Sequence, residues 1–81
     1  MKNIEEIVQN ILLRRTGIDF TNQEIKKKFL LGKELNIPAR ELVLVYLDIE
    51  NEFNILIKER DVLEGGFKTY NNILDTVRAY I

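Results

Sequence analysis

Apolar residues recur along this chain at three- and four-residue steps, most densely from Ala39 to Phe53. Within that run Leu42, Val45, Tyr46, Ile49 and Phe53 share one face of a helix. Glu41, Asp48 and Glu52 share another. Val43, Leu44 and Leu47 are apolar too, yet belong to neither stripe. Either this helix is buried nearly all round, or part of it meets a partner. Pro38, the only proline, suits the first turn, where its missing N–H costs nothing. The helix is expected to run from about Pro38 to Glu52 or Phe53.

The rest of the pattern is helical as well. Ile4, Ile7, Val8, Ile11 and Leu12 form a stripe from about Asn3 to Arg15. Asn3 is placed as N-cap with Glu6 three residues on, and Gly17 as the residue that ends the helix. After a loop at Ile18, Asp19 and Phe20, the run Thr21-Asn22-Gln23-Glu24 opens a short helix expected from about Asn22 to Leu31, closed by Gly32. Ile25, Phe29 and Leu30 are its core candidates. Lys33 to Ile37 connects to the central helix. Beyond it, Ile55 and Ile57 sit in an extended connector as core plugs, Lys58 to Leu63 suggests a helical turn, and Gly65-Gly66 breaks it. A last helix is capped by Thr69 and carries Ile73, Leu74, Val77, Tyr80 and Ile81 on its stripe, with the C-terminus docked. Together these elements predict an all-α fold: a small irregular bundle of three main helices plus one or two short ones, in one domain over residues 1–81.

Composition narrows the function more than the fold. A chain of 81 residues buries roughly 60–65 % of its unfolded surface, so a site belongs on the surface or in a shallow groove. Twelve basic residues against thirteen acidic ones leave a net charge of −1, unlike the basic footprint of a nucleic-acid binder. Lys26-Lys27-Lys28 reads first as a solvated helix face, and second as an anion contact. No apolar run approaches the ~18–20 residues of a membrane span, and the first residues form no signal-like apolar block. A soluble, cytoplasmic protein is expected.

The chain has no Cys, His, Trp or Ser. Without Cys there is no disulfide, thiolate nucleophile or cysteine-held metal. Without His the commonest neutral-pH base and metal ligand is missing. The expectation is a protein without a catalytic or metal site. The hydroxyls of Thr16, Thr21, Thr69 and Thr76 remain.

From the central helix onward the chain resembles the acyl carrier protein family. That family has a helix, a long loop, an acidic second helix, a short third helix and a final helix. The resemblance rests on Asp48-Ile49-Glu50-Asn51-Glu52-Phe53 at the end of the second helix, Ile57 in the connector, and Thr69 and Tyr80-Ile81 at the two ends of the last helix. It covers about residues 35–81 well, and the N-terminal third by architecture. More narrowly, Gly32-Lys33-Glu34-Leu35-Asn36-Ile37-Pro38-Ala39-Arg40-Glu41-Leu42 looks like the acyl carrier-related proteins of bacterial peptide-maturation clusters, of bacteriocin type.

The family carries its cargo on phosphopantetheine, joined to a Ser in an Asp-Ser-Leu motif at the head of the second helix. Counting back fourteen positions from Phe53, the matching residue is Ala39, with Pro38 and Arg40 as neighbours. A methyl group cannot form a phosphodiester, and no other Ser is present. The resemblance therefore implies the fold without the prosthetic group. It also implies a recognition surface on the second helix: Val43 and Leu47 as apolar contacts, with Glu41, Asp48 and Glu52 as charges for basic patches on partner enzymes. The competing reading packs Val43, Leu44 and Leu47 under the long first loop. The preferred function is a non-enzymatic module that docks peptide-modifying enzymes, as a monomer or weak homodimer, without nucleic acid or membrane. The alternative is a working acyl or peptidyl carrier modified at an unexpected residue.

Overall fold

The computed structural model describes residues 3–81. The one-domain expectation also takes in residues 1–2, which lie outside the described residues. Helix α1 spans Ile4–Thr16, α2 Gln23–Lys26, α3 Ala39–Phe53, α4 Glu59–Asp61 and α5 Tyr70–Tyr80. A π-helical turn, Val62–Gly66, continues α4 and is kinked at Gly65, whose φ of 104° is not helical. The described residues contain no strand, and the fold is all-α: three main helices and two short ones.

Local chemistry sets the helix ends. The Asn3 side chain accepts a 2.7 Å hydrogen bond from the Glu6 N–H, and Gly17 closes α1 at φ 76°. Thr69 accepts from the Asn72 N–H at 3.1 Å and starts α5. Pro38 is the last extended residue before α3, and Asn54, left-handed at φ 55°, ends it.

The core lies where α1, α3 and α5 meet. Val8, Ile11 and Leu12 of α1, Val45 and Ile49 of α3, and Tyr70, Ile73, Leu74 and Val77 of α5 are all buried. Ile57 is buried and Ile55 partly so, as the connector pattern predicts.

The segment before α3 departs from expectation. The helix expected over Asn22 to Leu31 lasts only from Gln23 to Lys26, capped by Asn22, whose side chain accepts from the Glu24 N–H. The cause is a competing hydrogen bond. The Leu30 N–H donates to the Lys68 carbonyl at 2.8 Å, and the Leu30 carbonyl accepts from the Ile37 N–H at 3.3 Å. A helix through Leu30 would need both groups for itself. In exchange, Leu30 reaches the core fully buried, while Phe29 turns outward at 65% exposure and is not a core residue. Phe20, which pattern alone leaves in a loop, is fully buried and stacks on Tyr70 with ring centres 5.5 Å apart. The lysine run stays local: Lys26 lies over the Tyr70 ring and Lys28 pairs with Glu34. At the C-terminus Ile81 is exposed rather than docked.

Candidate functional site

One flank of α3 opens onto an apolar groove. One part, about 470 Å³, lies between α3 and α4 and is lined by Ala39, Leu42, Val43, Tyr46 and Leu47, with Leu31, Glu59, Val62 and Phe67 opposite. A second part, about 530 Å³, shares Leu31, Leu42, Val62 and Phe67, and runs on past Phe29 and Leu63 to Gly65 and Lys68. The lining is the kind that takes a hydrophobic partner group. Ala39 stands exposed at the head of α3, so the position implied for the cargo serine presents a methyl to the groove.

The short wall is held by backbone clamps. The Tyr46 hydroxyl donates to the Ile57 carbonyl, and the Glu50 carboxylate accepts the Ile57 N–H at 2.8 Å, so α3 holds both backbone polar groups of Ile57. Burial, then the neighbouring Glu50 charge, pushes the Tyr46 phenol up. At the other end Tyr80 of α5 donates to the Asp61 carboxylate and accepts from the Lys58 N–H. That bond to Asp61 is the main reason the Tyr80 phenol is raised. Gly66 lets the π-helical turn lie against α5, where its carbonyl accepts from the Thr76 hydroxyl at 3.1 Å. Tyr46, Glu50 and Tyr80 are thus supports that the sequence reading missed. The first and last sit in apolar stripes, where a phenol is read as core.

The five sequence-predicted recognition residues fall into two groups. Val43 and Leu47 are 58% and 48% exposed on the groove, so neither packs under the long loop. Leu44 is half-buried. Asp48 faces α1, where its carboxylate accepts two hydrogen bonds from the Arg15 guanidinium at 2.6 and 3.0 Å. That bond, with the charges of Arg15 and Arg14, holds the Asp48 carboxyl below the usual carboxylate range. Glu41 contributes to the field on Arg15, and Glu52 borders a shallow hollow with Leu13 and Arg14. At about 100° per residue, the acids stand roughly 100–180° around α3 from Val43 and Leu47. The structure therefore does not bring acids and apolar anchors onto one surface, and the acids face the basic end of α1.

Among the described residues the groove has no free hydroxyl. None of the four threonines lines either part. Thr16 donates to the Leu12 carbonyl, Thr69 caps α5 and Thr76 is hydrogen-bonded within α5 and to Gly66. Tyr46 is there, but its hydroxyl is taken by Ile57. Among the described residues no group of His, Cys, Asp and Glu is arranged to hold a metal, and no helix is long and apolar enough to cross a membrane.

Against known proteins, the chain is similar over its whole length to an acyl carrier protein of Buchnera aphidicola subsp. Baizongia pistaciae (strain Bp). The two are 27% identical over 81 residues, which is 100% of this chain and 99% of that protein. No protein-family model matches the chain. No solved structure matches it. The full-length likeness and the helical architecture support an acyl-carrier-like protein.

Proposed function

We propose that this acyl-carrier-like chain is a non-enzymatic docking module, which offers the groove flank of α3 to a partner enzyme and carries no phosphopantetheine arm. The observation behind this reading is the exposure of Val43 and Leu47 beside Ala39, on a groove without a usable hydroxyl. Apolar anchors of this kind supply most of the energy of an interface, while charges around them steer the encounter. Val43 and Leu47 are the anchors. Glu41 and Glu52 steer basic partner patches from the flank toward α1, and Asp48 is shared with Arg15. The partner class is peptide-modifying enzymes of a bacterial maturation cluster, in the cytoplasm. That class rests on the resemblance of residues 32–42.

Binding to a purified bacterial peptide-maturation enzyme tests the proposal. Leu47→Glu is expected to weaken it by about tenfold or more, which is about 1.4 kcal/mol or more. Asp48→Lys is expected to weaken it less, once the fold is checked, because Asp48 already faces Arg15. Binding untouched by either variant would remove α3 from the interface.

A second reading, a working carrier with its arm on another residue, is favoured by the full-length similarity to an acyl carrier protein. Intact mass after incubation with coenzyme A and a phosphopantetheinyl transferase separates the two. The docking reading expects no change; a gain of one phosphopantetheine arm would overturn it.

A further inference from the structure

We infer that the groove flank is where two copies of this chain meet, as a two-fold dimer in which Glu59 of each copy faces Lys68 of the other. This does not rest on the partner-docking reading and needs no other protein.

The first argument is area. Phe29, Leu31, Val43, Leu47 and Leu63 are 65%, 60%, 58%, 48% and 76% exposed, and all five line the two joined parts of the groove. At these exposures they present roughly 600 Å² per copy, the upper end for one apolar patch on a monomer. A two-fold pair that covered these five side chains completely would bury roughly 1,200 Å², the lower edge of specific, stable interfaces.

The second argument is charge, and it selects the occupant. Glu59 lines only the part of the groove beside Ala39 and Leu47. Lys68 lines only the part beside Phe29 and Leu63. Among the described residues neither has an intramolecular ion pair. A uniformly basic partner would be repelled at Lys68, and a uniformly acidic one at Glu59. A second copy turned by a two-fold axis meets each charge with its opposite, twice, because such an interface pairs residue i with j and j with i. The apolar middle shared by the two parts then lies on the axis.

Sedimentation equilibrium on the purified full-length chain, from low micromolar to millimolar concentration, tests this directly. A monomer–dimer equilibrium is expected. Glu59→Lys and Lys68→Glu should each raise the dimer Kd by about tenfold, and the double reversal should bring it back to within a few-fold of the parent. Leu63→Asp should leave a monomer. All three positions are exposed, so at concentrations where the parent is itself monomeric, far-UV circular dichroism and the thermal midpoint should stay at parent values. A chain that is monomeric throughout would overturn the proposal, as would a dimer indifferent to Leu63→Asp, or single reversals that the double variant fails to rescue. A monomer whose groove instead takes up a fluorescent long-chain fatty acid would also overturn it. Partner binding is measured separately, so failure of the dimer leaves the docking reading standing, and the reverse.

Discussion

The two flanks of α3 answer burial in opposite ways. Toward α1, polar groups find partners inside the molecule: Asp48 takes two hydrogen bonds from Arg15, and Glu41 and Glu52 lie near the same basic helix end. Toward α4, apolar groups are left without them: Val43 and Leu47 stay about half exposed along an open groove. One flank is finished and the other is not. An acidic helix by itself is therefore a poor guide to where a partner sits. Acids that already face arginines have part of their field cancelled, whereas an unburied apolar row keeps its whole driving force for association.

The sharpest way to break this comparison is to truncate across it. Ile49 is fully buried and Leu47, two residues away, is half exposed. Ile49→Ala should cost about 2–5 kcal/mol in urea unfolding, because it leaves a cavity as well as losing transfer energy. Leu47→Ala should cost less than about 0.5 kcal/mol, as expected of a surface position. Equal losses would mean that the groove flank is part of the core.

A smaller effect is expected at the groove wall. A Cβ on Gly66 would lie 2.6 Å from the Asp61 carbonyl oxygen and 2.7 Å from the Thr76 hydroxyl. The first neighbour is backbone and cannot swing away. Gly66→Ala should cost about 1–3 kcal/mol and displace α4, which heteronuclear NMR shifts at Glu59–Asp61 would report.

The smallest effect belongs to the finished flank. The pairing with Arg15 lowers the folded pKa of Asp48, so its stabilisation is complete above the ordinary carboxylate value of about 3.9 and is lost as pH falls through the lower folded value. Asp48→Asn should therefore flatten the fall of the urea midpoint below about pH 4 and change its slope little at neutral pH. An unchanged acid limb would remove the ion pair from the stability of this flank.

Much of the frame was legible from residue pattern. Asn3, Gly17, Pro38 and Thr69 mark helix ends through local chemistry, and the structure uses each of them within a residue of the expected place. The stripes of α1, α3 and α5 follow the helical period for the same reason. What was not legible depends on distant groups. Nothing near Leu30 announces that its N–H will donate to Lys68, so the helix expected through Leu31 stops at Lys26. Phe20 and Tyr70 meet across fifty residues, and neither stands in a stripe that points to the other.

The candidate site divides along the same line. The exposure of Val43 and Leu47 could be suspected from apolar residues outside the core stripe. The groove itself could not, because its far wall is built by Leu31, Val62 and Phe67 from outside α3. The angular separation of the acids from Val43 and Leu47 was already present in the helical period. That the acids are answered by Arg14 and Arg15 required α1 to be seen beside α3.

The bond from Leu30 to Lys68 also bears on the order in which the molecule assembles. It joins two segments far apart in sequence, and the chain between them includes all of α3. Closing so long a loop is entropically unfavourable until the main helices have drawn its ends together. The segment carrying Leu30 and Leu31 should therefore settle late in folding and be among the first to come loose. Its amides would then exchange with solvent while the α1–α3–α5 core remains intact.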